Sequence, residues 1–151
     1  MKTTAIFLAG LILAQMTLAQ SSKYVKWDYK AKKIGFKKFA VYMTATIKGG
    51  YHLYAQEAGG NGMTSTRISF VKTPLLILDG KIKEEGNLIT KFDPTWEHDL
   101  KYYEKTVDFV QVVKLKGGAK TNLAGKIEFM ICNDRLCERP SEEEIKVNIG
   151  G

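Results

Sequence analysis

Two cysteines, Cys132 and Cys137, are the only thiols in the 151-residue sequence, and four residues separate them in the stretch MICNDRLCERP. Such a pair can form a structural disulfide, supply half of a metal site, or cycle between dithiol and disulfide. An extended strand would hold their Cα atoms roughly 16 Å apart, whereas a disulfide usually holds them about 4.4–6.8 Å apart. If they bond, the chain must turn between them, and Asn133 and Asp134 are residue types that favour turns.

A disulfide at this spacing would stabilise the fold only weakly. Closing a six-residue loop stabilises a protein by only about 2 kcal/mol in the chain-entropy treatment, against about 4.7 kcal/mol for a hundred-residue loop. A chain of this length can bury a core without that help. The spacing therefore favours redox use, and a structural hairpin clip remains the alternative.

A zinc site would require two ligands in addition to the cysteines. The only histidines are His52 and His98, and neither has ligand spacing to the other or to a cysteine. We therefore predict no metal.

The N-terminus reads as an export signal. One lysine precedes an apolar run at residues 5–14, and small residues precede a cleavage point after Ala19. The run is shorter than the roughly 20 residues that span a bilayer, and no later stretch is long enough. We predict a signal peptide at residues 1–19 and one exported domain at residues 20–151, periplasmic or secreted, without an integral membrane segment. A disulfide can persist in that compartment.

The formal net charge is +7, and seven lysines lie within residues 23–38. Most of these lysines occupy outward positions of strand-like alternations, and the sequence contains no nucleic-acid-binding motif. We interpret them as a solvated face and predict no nucleic-acid partner.

Alternation of apolar and polar residues predicts strands with one buried face. It occurs in six segments, at residues 23–30, 39–48, 67–72, 107–115, 126–131 and 144–149. Turn signals separate them, at Gly49-Gly50, at residues 59–62, at Asp79-Gly80 and at Gly117-Gly118. No segment has helical periodicity. This pattern predicts an all-β chain folded as an immunoglobulin-like antiparallel β-sandwich.

Three segments resemble a known family. They are GGYHLYAQ at residues 49–56, KFDPTWEHDLKYYEKTVDFVQVVKL at residues 91–115 and GKIEFMICNDRLCERP at residues 125–140. Their order and spacing resemble the periplasmic N-terminal domain of the DsbD thiol–disulfide transporters, over nearly the whole exported chain. The resemblance implies an immunoglobulin-like fold with an inserted redox subdomain and a cap loop.

The resemblance also implies a function. Cys132 and Cys137 would be the catalytic pair of a protein-disulfide reductase that needs no cofactor. It would take electrons from a membrane donor and pass them to periplasmic partners with thioredoxin folds. Cys137 would bond to the partner, and Cys132 would resolve the mixed disulfide.

By position, the cap of the family corresponds to residues 92–99. The resemblance places Phe92 or Trp96 over the sulfurs, and the segment Tyr51–Tyr54, with both tyrosines, beside the site. His98 would be a proton-handling group there. Ordinary core packing is the alternative for each aromatic residue, and a solvated loop is the alternative for His98.

Two departures from the family stand out. DsbD continues into a membrane domain, whereas this sequence ends at Gly151, so the donor would be a separate protein or the rest of a longer chain. Glu138-Arg139-Pro140 replaces a segment that often holds two prolines, which affects the rigidity of the site and the choice of partner. The rival function is a non-catalytic binding module in which Cys132–Cys137 is a permanent clip.

Overall fold

The computed structural model describes residues 22–60, 65–94 and 97–150, and every regular element within them is a strand. The strands are β1 (Val25–Gly35), β2 (Lys38–Ile47), β3 (His52–Tyr54), β4 (Arg67–Phe70), β5 (Leu76–Gly86), β6 (Ile89–Asp93), β7 (His98–Tyr103), β8 (Thr106–Leu115), β9 (Thr121–Phe129), β10 (Ile131–Cys132) and β11 (Ser141–Ile149). The described residues contain no helix long and apolar enough to cross a bilayer. The predicted signal peptide, residues 1–19, lies outside the described residues.

Two antiparallel sheets enclose the main core. One has the strand order β1-β2-β8-β5, and the other has the order β11-β9-β4. The inward positions of their alternating strands pack against each other: the Trp27 ring lies 5.9 Å from that of Phe109 and 5.5 Å from that of Phe129. The chain is therefore an immunoglobulin-like β-sandwich, as the alternation predicts.

A third, smaller sheet has the order β10-β3-β7-β6 and holds Cys132. Its β3 follows β2 through a turn in which Gly50 has φ +83°, a left-handed conformation that suits glycine. The segment after β3 then runs along β7, where the Lys101 amide donates to the Ala58 carbonyl at 2.8 Å. A side chain at Gly59 would clash with the Asp99 carbonyl, so only glycine allows this close approach.

The alternation correctly locates β1, β2, β4, β8, β9 and β11, and it misses the other strands. The turn predicted at Asp79-Gly80 is wrong, because both residues lie inside β5. The pairing of β5 with β8 shifts register between Asp79 and Lys83, and Gly80 has φ +80°. A glycine with positive φ suits a β-bulge as well as a turn, which explains the error.

Candidate functional site

The two cysteines are joined in a disulfide with their Cα atoms 4.0 Å apart. Cys132 ends β10, and Cys137 faces it across an antiparallel bridge. Backbone hydrogen bonds lie on either side of the pair: the Asn133 amide donates to Leu136 at 2.9 Å, and the Glu138 amide donates to Ile131 at 2.9 Å. The cysteines thus occupy a non-hydrogen-bonded antiparallel pair, the pair type with the closer Cα atoms.

Asn133 builds the turn between the cysteines. Its Oδ1 accepts hydrogen bonds from the backbone amides of Arg135 at 2.9 Å and Leu136 at 2.8 Å. An asparagine side chain that caps the following amides stabilises a tight reversal of the chain. The turn predicted through Asn133 and Asp134 is therefore confirmed.

The two sulfur-bearing residues differ in exposure. Cys132 is 1% exposed and packs in a small cluster with Tyr54, Ala58 and Leu100. Cys137 is exposed at the surface. A reagent or protein that approaches from solvent therefore reaches the disulfide from the Cys137 side.

A surface pocket of about 380 Å³ opens over the disulfide. Its lining includes both cysteines, three aromatic residues and one histidine: Cys132, Cys137, Tyr54, Phe92, Tyr102 and His52. Leu136, which is 63% exposed, stands on the turn at its edge. The lining also includes charged residues, among them Lys91 and Asp134, so the disulfide is reached through a pocket with both aromatic and polar walls.

His52 lies directly opposite Cys132 in the β3–β10 pairing, so both side chains leave the same face of the small sheet. Its ring centroid is 4.5 Å from that of Tyr102, and its Nε2 is 3.4 Å from the Tyr54 hydroxyl. Burial lowers the pKa of His52 below its ordinary value, and burial raises the pKa of Tyr54. Both groups are therefore neutral at pH 7.

The described part of the predicted cap segment includes the end of β6 and the start of β7, and residues 95 and 96 lie outside the described residues. Phe92 lies on β6, pairs with Asp99 on β7, lines the pocket and is 59% exposed. His98 is exposed, pairs with Asp93 and is not among the residues that line the pocket. Trp96 lies outside the described residues.

Tyr54 lines the pocket, whereas Tyr51 lies beside the cysteine turn and outside the pocket. The Tyr51 ring stacks on Tyr24 with centroids 4.0 Å apart, and the Nζ atoms of Lys23 and Lys48 lie 5.0 and 5.5 Å from the Tyr24 ring. A hydrogen bond with Tyr24 raises the pKa of the Tyr51 hydroxyl, and the Asn133 side chain opposes that effect. This aromatic stack contacts the turn through Asn133.

Tyr102 and Leu136 belong to the site although no pattern in the sequence indicates them, and His52 lies within the segment Tyr51–Tyr54 that the resemblance places beside it. The signal for His52 was its position in the Tyr-His-Leu-Tyr segment, but only the pairing of β3 with β10 puts it opposite a cysteine. Within residues 22–60, 65–94 and 97–150, no group of three or more His, Cys, Asp or Glu side chains is arranged to hold a metal.

A larger cavity of about 590 Å³ lies against β4 and β5 and contains neither cysteine. The buried Gln111 in its wall donates hydrogen bonds to the carbonyls of Val112 at 2.8 Å and Gly80 at 3.2 Å. The amide nitrogen of Gln111 is therefore used in hydrogen bonds that stabilise the fold.

A sequence model of the family described as thiol:disulfide interchange protein DsbD, N-terminal, matches residues 24–149. Among solved structures, the chain is similar to the N-terminal periplasmic domain of ScsB from Proteus mirabilis, with a TM-score of 0.58 and 14% identity. The match covers 85% of this chain and 47% of that one, so the chain spans about half the length of this relative. At this identity the likeness shows the fold alone.

The GAE domain of yeast GGA1 aligns over 85% of this chain and 95% of its own, with 8% identity and a TM-score of 0.46. That score is too low to support any inference. No curated protein matches the sequence.

Proposed function

Because the chain belongs to the family of DsbD N-terminal domains, which are thiol–disulfide interchange domains, we propose that Cys132 and Cys137 are its redox-active pair. The pair passes two electrons to disulfides of other proteins, which makes the domain a protein-disulfide reductase. Cys137 forms the mixed disulfide with the partner, and Cys132 resolves it.

The difference in exposure between the two cysteines carries this proposal. Thiol–disulfide exchange requires a thiolate to reach one sulfur of a disulfide directly. Cys132 is 1% exposed, whereas Cys137 is exposed beside an open pocket. Attack at Cys137 makes the buried Cys132 the leaving group, and the short turn keeps it in place for the return step.

The forward reaction balances without a cofactor. The thiolate of reduced Cys137 attacks a partner disulfide, forms a mixed disulfide and releases one partner thiolate, which takes up a proton. The thiolate of Cys132 then attacks the Cys137 sulfur and releases the second partner thiolate. The partner gains two electrons and two protons, and Cys132–Cys137 is oxidised. A donor dithiol reverses these steps and reduces the pair again.

The surroundings of Cys137 suit a protein partner. Phe92 and Leu136 are 59% and 63% exposed, and both line the pocket over the disulfide. Exposed apolar residues around a reactive group provide contact area for a partner surface. By family membership, the partners are periplasmic proteins with thioredoxin folds and the electron source is a membrane protein. The similar ScsB domain is likewise a periplasmic domain.

The first test is a redox titration of Cys132–Cys137 in glutathione buffers, read by thiol alkylation and mass. A relay should open and close reversibly within the buffer range, whereas a structural bond has a potential below about −300 mV. A disulfide that stays closed in the most reducing buffer would refute the relay and support the binding module with a permanent clip.

Partner trapping tests the separate roles of the cysteines. With a thioredoxin-fold protein disulfide as substrate, Cys132→Ser should accumulate a mixed disulfide through Cys137. Cys137→Ser is the matched control, and it should form little adduct because Cys132 is buried. Equal trapping by both variants would contradict the assigned roles.

A further inference from the structure

The β1–β2 hairpin carries apolar residues among lysines at its tip. The sequence of this segment, KAKKIGFKK at residues 30–38, contains five lysines and no acidic residue. The alternation of buried and exposed residues in β1 stops after Ala31, and residues 32–36 are all exposed. The tip therefore extends past the sandwich core, and its side chains are free to contact a partner.

Phe36 is 88% exposed, the largest exposure among the large apolar residues described, and Ile34 is 48% exposed. The pairing of β1 with β2 shifts register between Lys33 and Gly35, so Ile34 sits in a β-bulge. Bulges redirect side chains, and this one adds a second apolar side chain to the exposed tip.

Neighbouring strands extend the same surface. The Leu115 amide donates to the Lys37 carbonyl at 2.8 Å, which places the end of β8 beside the tip. The start of β5 pairs with that end of β8 and presents Leu75 and Ile77, which are 42% and 44% exposed. We call residues 32–38, 75–77 and 114–116 the basic end of the domain.

The charge of the basic end is largely uncompensated. Asp79 lies next to it and pairs with Lys38 at 2.9 Å and with Lys114 at 3.1 Å. Among the described residues, no ion pair involves Lys32, Lys33 or Lys37.

We propose that the basic end binds the surface of a bilayer containing anionic phospholipids. Lysines attract the negative headgroups, and their stems cross the interface while the ammonium groups stay in the polar layer. Phe36 and Ile34 then enter the boundary between headgroups and acyl chains. An acidic polymer would satisfy the lysines but would leave Phe36 in water, so the exposed apolar tip favours the bilayer.

The inferred contact leaves the disulfide free. Tyr24, just before β1, stacks on Tyr51 beside the cysteine turn. From Val25 to Gly35 the strand advances roughly 33 Å, at about 3.3 Å per residue. Membrane binding at the basic end would therefore leave the cysteine turn at the other end of β1, clear of the contact. The inference does not depend on the redox function.

The test is sedimentation of the purified chain with vesicles of phosphatidylcholine, alone or mixed with phosphatidylglycerol. We expect binding only to the anionic vesicles, and we expect it to weaken as salt rises above about 0.1 M. Lys32→Glu with Lys33→Glu should lower the partition coefficient by about tenfold or more. The charge-matched control Lys83→Glu with Lys146→Glu changes exposed lysines outside the basic end and should lower it less.

Phe36→Ala tests the apolar part, with Leu88→Ala as the control at another exposed site. Phe36→Ala should weaken binding to anionic vesicles, and Leu88→Ala should not. Absence of binding by the unaltered chain would overturn the proposal, as would equal binding to neutral vesicles. Binding that Phe36→Ala leaves unchanged and that heparin abolishes would instead assign the surface to acidic polymers. The redox titration of Cys132–Cys137 is unaffected by any of these outcomes.

Discussion

The main sandwich and the small sheet differ in how much apolar surface supports them. The sandwich core joins residues from both large sheets, and Val41, Met43 and Phe109 in it are fully buried. The small sheet adds Leu53, Tyr103 and Ile131 to that core from one face, and the described residues of its other face form a separate, smaller buried cluster of Tyr54, Ala58, Leu100 and Cys132. Parts of a protein with few buried apolar contacts open at lower free energy than the core.

The sandwich therefore provides most of the stability, and the small sheet holds the disulfide. Strand β9 of the sandwich leads through Met130 into β10, and the small sheet holds Cys132 where β10 pairs with β3. Reducing the disulfide removes at most about 2 kcal/mol of stabilisation, because the loop it closes is short. We therefore expect the pair to change redox state while the sandwich stays folded.

The largest expected effect is the loss of unfolding free energy when a buried side chain is truncated, and this loss should differ between the two regions. Phe109→Ala should lower the free energy of unfolding by about 3–5 kcal/mol, because Phe109 is fully buried in the main core. Leu100→Ala should cost about 2 kcal/mol, the low end for such deletions, because its cluster is small and adjoins the pocket. Urea unfolding monitored by circular dichroism measures both. An equal or larger loss for Leu100→Ala would contradict the smaller contribution assigned to the small-sheet cluster.

A smaller effect is expected at the pocket rim. Phe92→Ala should leave stability within about 0.5 kcal/mol because Phe92 is 59% exposed. The same variant should speed alkylation of the reduced cysteines by iodoacetamide, by less than about tenfold, because Cys137 is already exposed. Trp96→Ala tests the other predicted cap residue, and Phe36→Ala is a distant control. Unchanged alkylation rates in both cap variants would remove the cap assignment.

The smallest effect concerns pH. Burial lowers the pKa of His52 from its ordinary 6.5, although Asp134, Glu104 and Asp93 partly oppose this. The folded chain is therefore less protonated at His52 than the unfolded chain is. As pH falls below about 7, protonation of His52 favours the unfolded state and lowers the free energy of unfolding, and above that pH the effect vanishes. His52→Gln should flatten the dependence of unfolding free energy on pH between about 5 and 7.

His98 provides the matched control for this measurement because it is exposed. A flattening by His98→Gln that equals the flattening by His52→Gln would contradict the assignment to the buried ring.

Local patterns in the sequence determined much of this protein. Alternation located every strand of the sandwich except β5, because a half-buried strand must alternate along its own length. The Asn133-Asp134 turn followed from the spacing of the cysteines and from local side-chain chemistry. These features depend on residues close together in the chain, so the sequence alone was sufficient to predict them.

The difference in exposure between the two cysteines follows only from the tertiary structure. Cys132 is buried because β10 pairs with β3, about 80 residues earlier in the chain, which also places His52 opposite it. Phe92 reaches the pocket because β6 and β7 form a hairpin on the far side of β3. Strand pairing brings together residues that are far apart in the sequence. It therefore determines that Cys132 is buried and Cys137 exposed, which the spacing of the two cysteines does not indicate.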